Sequence, residues 1–196
     1  GKLPVSLLGH SWGAWLAFMF AARYPSYVKK LILVASGPFE ESYASAIMQK
    51  RLERMSKNKM DEYLHLCKKM SDPSVKNKNY MFAKFGKLIS SVDSFNPLSS
   101  MENTSGFSHD VNKSIWSEAS NLRRNGNLLD MGKDIRCPVV AIHGDHDPHP
   151  FEGVRKPLAR TLKDFRFVLL KDCGHYPWRE KYARDRFYEI VRSELQ

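Results

Sequence analysis

The chain's tightest constraint lies near residue 10. Leu3-Pro4-Val5-Ser6-Leu7-Leu8 runs directly into Gly9-His10-Ser11-Trp12-Gly13, and that runs into an apolar segment from Ala14 to Tyr24. The short apolar run suits a buried strand, and the following segment, apolar all round, suits a helix packed on a sheet. Pro25 stops it. Strand and helix are joined by a turn too short for a wandering loop. A serine at the centre of such a turn is expected to sit in strained backbone geometry, its hydroxyl lifted clear of the sheet edge. Glycine at both 9 and 13 is expected because a Cβ at either would collide with the neighbouring strand and helix.

Three more apolar runs read as strands. Val28 to Ser36 is apolar on both faces, which suits a parallel sheet. Pro138 to Gly144 follows far downstream and ends in Asp145-His146-Asp147-Pro148. Phe165 to Leu170 comes last and ends in Cys173-Gly174-His175-Tyr176-Pro177. In an open parallel sheet, loops at the carboxyl ends of strands converge on one crevice. Ser11, an aspartate and His175 can therefore meet, although they are far apart in sequence.

Those residue types suit acyl transfer. A serine hydroxyl is a weak nucleophile near neutral pH unless a base takes its proton. Histidine suits that role, and a buried carboxylate fixes its tautomer and stabilises the imidazolium. On these motifs, with Tyr24-Pro25, Val28 and Leu31-Ile32-Leu33, and with Trp178 closing the last of them, the chain resembles the α/β-hydrolase family. The resemblance covers roughly residues 3–39 and 134–196, and is closest to the proline-iminopeptidase-like and esterase-like branches. It implies a catalytic set of Ser11 as nucleophile, His175 as general base and Asp147 as the carboxylate that orients it. The Trp12 N–H is then one oxyanion donor. Asp145 competes with Asp147; the family spacing picks Asp147, and leaves Asp145 to cap the loop through backbone N–H groups.

The implied fold class is α/β: the C-terminal half of an α/β-hydrolase sheet, about four parallel strands, with a helical cap insertion. The family's sheet has further strands before its serine turn, and the loop after the third of them supplies a second oxyanion donor. No His-Gly-rich loop of that kind precedes residue 9. A truncated chain is therefore expected, with a split enzyme or a self-assembling remnant as alternatives. The strand at Pro4 to Leu8 would have a bare side, which invites pairing with another chain. A homodimer through that edge is expected, although Pro4 cannot donate to the ladder.

Residues 1–37 and 134–196 are read as the partial hydrolase core, and 38–133 as the cap. Within the cap, Glu40 to Met70 has helical spacing and Ser71-Asp72-Pro73 breaks it; Asn79 to Ser91 and Val111 to Arg124 are further helices, the last ended by Asn125-Gly126. Its Met48, Met55, Met70, Met81, Phe82, Phe85 and Trp116 are candidates for an apolar substrate pocket, or simply for packing.

Composition narrows the rest. The 196 residues are ample for one domain, with 42% hydrophobic and 27% charged content, ordinary for a globular protein. No apolar run reaches the roughly 18 residues of a membrane span. The net charge of +10 invites nucleic-acid or membrane readings, but the lysines of the middle segment are interspersed with acids as on solvated helix faces. No nucleic-acid module is present, so neither partner is expected. Cys67, Cys137 and Cys173 have no disulfide or metal spacing, which favours a reducing cytoplasm. His143, Asp145, His146, Asp147 and His149 resemble a metal-ligand cluster, but His143 falls inside a strand and the rest on a turn before Pro148 and Pro150. No metal and no cofactor are expected. His10 is expected to pack beneath the turn. The expected substrate is a small carboxylic ester, or an amide such as an N-terminal peptide bond. The class-distinct alternatives are an impaired half-fold acting as an assembly module, and an aminopeptidase of the proline-iminopeptidase type.

Overall fold

The four apolar runs do become strands, the first offset from its run, the next two a little shorter and the last matching its run. The computed structural model describes residues 2–99 and 109–196. Strand β1 is Val5–His10, β2 Val28–Val34, β3 Val139–Gly144 and β4 Phe165–Leu170. They form one sheet in the order β1-β2-β3-β4, every neighbouring pair parallel. Leu7 pairs with Leu31, Leu31 with Val139, and Val139 with Phe165.

Period-2 alternation divides the central strands between two cores. Leu31, Leu33, Val139 and Ala141 face one layer, against helices α1 (Trp12–Arg23) and α7 (Glu152–Thr161). Ile32, Val34, Val140 and Ile142 face the other, against Phe187 and Ile190 of α8 (Arg184–Leu195). Lys30 of β2 ties α8 down through Glu194 at 2.8 Å.

The described residues between β2 and β3 are mainly helical. They form α2 (Ser45–Arg54), α3 (Lys57–Ser71), α4 (Lys78–Asp93), α5 (His109–Arg124) and the short α6 (Asn127–Asp130). The expected break at Ser71-Asp72-Pro73 ends α3, and Gly126, at φ 77°, takes the left-handed turn after α5. The helical spacing from Glu40 to Met70 is taken up by two helices, α2 and α3. Ser56 separates them by accepting from the Lys59 N–H as an N-cap.

The apolar-all-round helix corrects one expectation. Ala14, Trp15, Phe18 and Ala21 are buried, but Leu16 and Phe20 are exposed. The Phe20 ring lies against the Tyr24 ring, centroids 5.0 Å apart. No helix among the described residues is long and apolar enough to cross a membrane.

Candidate active site

Ser11 joins β1 to α1 with φ 53° and ψ −119°, a left-handed backbone that a serine adopts only under constraint. Two hydrogen bonds impose it: the Ser11 N–H donates to Val34 O at 2.9 Å, and the Ala14 N–H donates to Ser11 O at 3.0 Å. The side chain makes no cap hydrogen bond with its own helix, so Oγ is left for the cavity that Ser11 lines. Trp12 is the first helical residue, and its N–H is among those that a helix start leaves unpaired.

The two glycines of the turn differ. A Cβ at Gly9 would lie 2.2 Å from Gly13 O and 2.7 Å from the Ala14 Cα. A Cβ at Gly13 would meet nothing within 4 Å. The expected collision therefore holds at Gly9 only: the backbone of Gly13 fills the space, while its own α-hydrogens point into the open.

Across the cavity, His175 donates through Nδ1 to Asp147 Oδ2 at 2.7 Å. Both are buried. Burial pushes the Asp147 carboxyl up, but His175, His149 and His143 around it and the His149 hydrogen bond outweigh that and hold it well below the usual carboxylate range. With Nδ1–H committed to Asp147, the Nε2 of His175 is a free lone pair. Asp145 is not in this pair: its Oδ1 accepts from the Cys173 N–H at 3.3 Å, and Lys171 Nζ lies 3.5 Å from its Oδ2. The His10 ring lies against the His175 ring with centroids 4.8 Å apart, and its Nε2 donates to His175 O at 2.8 Å. Cys173 beside it is fully buried, and burial pushes its thiol up, away from the reactive thiolate.

The loop that carries His175 is clamped. Glu180 is fully buried and accepts from three backbone N–H groups: Phe95 at 2.8 Å, Asn96 at 2.7 Å and Gly174 at 3.1 Å. The His175 N–H donates to Asp93 O at 2.9 Å, at the end of α4. The Asp93 carboxylate is in turn gripped by Arg51 of α2 at 2.8 and 2.6 Å. A Cβ at Gly174 would lie 2.3 Å from Asp93 O, so only glycine lets the loop approach that closely.

Ser11, His149 and His175 line one cavity of about 410 Å³. Trp12, Trp15 and Trp116 meet there with ring centroids 5.8–6.1 Å apart, the last of them from α5. Of the seven apolar candidates in the middle segment, Phe82, Phe85 and Trp116 line the cavity; the four methionines do not. Sequence reasoning missed Glu180, which sits between Arg179 and Lys181 and reads as surface charge. It also missed the bond from His149 to Asp147, although the two are only two residues apart. Asp147, His149 and His175 each offer a ligand atom within 4.8 Å of the others, so the three could hold a metal ion. In the structure, both imidazoles instead donate to the carboxylate.

The α/β-hydrolase fold family model matches residues 1–181, and the chain belongs to that family. No curated protein matches it by sequence. Among solved structures, VinJ is 18% identical with TM-score 0.58, the match covering 97% of this chain and 64% of that one. A bacterial membrane phospholipase A is 18% identical with TM-score 0.57, over 100% and 58%. Proline iminopeptidase from Mycobacterium smegmatis is 16% identical with TM-score 0.55, over 96% and 63%. The chain thus spans less than two thirds of the length of each of these relatives.

Proposed function

We propose that this chain carries the nucleophile, base and acid of a serine hydrolase that cleaves a small carboxylic ester through an acyl-enzyme. The carrying observation is the 2.7 Å bond from His175 Nδ1 to Asp147 Oδ2, on a cavity that both His175 and the strained Ser11 line. His175 Nε2 takes the proton of Ser11 as Oγ attacks the ester carbonyl. The tetrahedral oxyanion is met by the Trp12 N–H at the positive end of α1. His175 then returns the proton to the leaving alkoxide, which departs as the alcohol. A water, deprotonated by His175, releases the acid. The helical segment 38–133 serves as a cap: Arg51, Phe82, Phe85 and Trp116 wall the cavity from that side.

An ester fits better than the N-terminal amide of an aminopeptidase. A substrate ammonium needs a free carboxylate. Among the described residues that line the cavity, the carboxylate is Asp93, and both its oxygens are held by Arg51. A cytoplasmic site is part of the proposal, supported by the free thiols of Cys67, Cys137 and Cys173. So is a homodimer through the β1 edge, where Leu8 is exposed; light scattering is expected to give twice the chain mass, and the chain mass alone overturns it.

The direct test of the reaction is a fluorophosphonate probe with the adduct mapped by mass spectrometry. Label is expected on Ser11 and absent from Ser11→Ala. Label elsewhere, or label that survives the substitution, overturns the proposal.

A further inference from the structure

Asp147 serves two imidazoles. Its Oδ2 accepts from His175 Nδ1 at 2.7 Å, while its Oδ1 accepts from His149 Nδ1 at 2.7 Å and from the His149 backbone N–H at 2.9 Å. The two rings lie face to face, centroids 4.6 Å apart and tilted by 31°. His143 braces the arrangement from β3: its Nε2 donates to His149 O at 3.0 Å and lies 3.5 Å from Asp147 Oδ2. All four side chains are buried.

We infer that His149 is a positioning residue for the Ser11–His175–Asp147 site, which holds one oxygen of the carboxylate so that the other stays on His175. The inference rests on the hydrolase reading above. An aspartate's terminal torsion is soft, so a carboxylate bonded at one oxygen only can swing. Bonds to both oxygens, each strengthened by the anion's charge, remove that freedom. The same bond carries an electronic consequence. Negative charge engaged by the His149 N–H is charge withheld from the imidazolium that forms when His175 takes the serine proton. His149 thus fixes the carboxylate and weakens its pull on His175.

The other groups around His175 do not duplicate this. His10 on β1 meets its ring and its carbonyl, Tyr176 meets its ring edge, and Asp93 O of α4, with Arg51 of α2 behind, takes its backbone N–H. Ser11 shares the cavity. None of these groups donates to Asp147 Oδ1.

Two substitutions separate positioning from packing. His149→Phe keeps an aromatic ring against His175 and removes the ring N–H, leaving Asp147 Oδ1 only the backbone N–H of residue 149. His149→Asn loses the ring and keeps an N–H donor. In the low-field proton NMR spectrum, the wild-type chain is expected to show two imidazole N–H signals bonded to a carboxylate, distinct from those of His10 and His143, which donate to backbone carbonyls. His149→Phe keeps one, and Asp147→Asn keeps neither. With a short nitrophenyl ester, His149→Phe is expected to lower kcat about 10–100-fold, the effect of losing one hydrogen bond to a charged group, with KM little changed. The acid limb of its pH–rate profile moves to higher pH, and His149→Asn recovers most of the lost kcat.

Retention of both N–H signals in His149→Phe overturns the inference. So does a fall in kcat with an unmoved acid limb and no recovery in His149→Asn, the pattern of mere packing. It is also overturned if His149→Phe abolishes turnover while His175→Phe retains it, since His149 is then the base itself. Failure of the wild-type chain to take the fluorophosphonate label is a failure of the hydrolase reading instead. The count of N–H signals still decides whether His149 engages Asp147.

Discussion

The two sides of the sheet support their share of the site by different means. All six residues of β3 are buried, whereas in β1 only Gly9 is. The Asp147 and His175 loops leave β3 and β4 into a buried polar network of Asp93, Arg51, Glu180, His143 and His149. Ser11 leaves an exposed edge, yet its backbone is held as firmly by local devices: the approach of Gly9 to Gly13 and the bond to Val34 O. Tertiary burial fixes one half of the constellation, and local backbone geometry fixes the other. The two halves should therefore fail differently when perturbed.

The largest effect is expected where the network is cut at its centre. Asp147→Asn should lower ester turnover about 10⁴-fold, because the amide favours the wrong imidazole tautomer. Asp145→Asn, two residues away on the same loop, should change turnover less than about tenfold, since Asp145 bonds the Cys173 N–H and not an imidazole. Steady-state kinetics on the pair reads this directly. A crippled Asp145→Asn with an active Asp147→Asn would reverse the assignment.

Next comes the clamp on the histidine loop. In Glu180→Gln, the amide nitrogen replaces one carboxylate oxygen and faces a backbone N–H donor-to-donor. With the amide nitrogen in place of Oε2, the Phe95 and Gly174 N–H groups keep their acceptor and the Asn96 N–H loses its own. A loss of about 3 kcal/mol is expected, a fall in Tm of roughly 6–12 °C for a chain of this size. Thermal denaturation followed by circular dichroism measures it. An unchanged Tm would mean that the histidine loop is held by packing alone.

These two perturbations also mark what the sequence discloses and what it conceals. The strands, their parallel character, the serine turn and the Asp–His loops were legible because each is a local signal: an apolar run, a glycine-flanked serine, a polar loop at a strand end. Glu180 was not legible because its meaning lies in Phe95 and Asn96, some 85 residues away in sequence. His149 was legible as a residue on the turn, but its bond to Asp147 was not, since periodicity cannot show that its ring folds back onto that carboxylate. The exposed face of α1 was likewise hidden, because an all-apolar helix reads as buried wherever it lies.

On the β1 side, the two glycines give a smaller and sharper contrast. Gly9→Ala puts a methyl 2.2 Å from a backbone oxygen that cannot move without unwinding the start of α1. It should cost about 3 kcal/mol or more and remove the fluorophosphonate label with it. Gly13→Ala meets open space in a helix's first turn and should change stability by less than about 1 kcal/mol. Denaturant unfolding of the two variants checks the difference. Equal losses would mean that the turn needs flexibility at both positions rather than room at one.

The smallest effect concerns His10, the residue that joins the two sides by reaching from β1 to the His175 carbonyl. Burial first, then the neighbouring His175, lower its pKa from 6.5 to about 3. The unfolded chain therefore binds a proton near pH 6.5 that the folded chain refuses until about pH 3. Between those values, protonation favours unfolding. Stability is fully present above pH 6.5 and falls as the pH drops through the window, by at most about 1.4 kcal/mol per pH unit for this one proton. Burial lowers His143, His146 and His149 in the same direction, so the chain should be acid-labile as a whole. His10→Gln keeps a side-chain N–H for the His175 carbonyl and removes the titration. Its unfolding free energy should lose roughly one proton's worth of slope between pH 6 and pH 4.5, while the remaining slope stays with the network around Asp147. If His10→Gln has the wild-type slope, His10 takes its proton in the folded state and the link between the two sides is looser than its geometry implies.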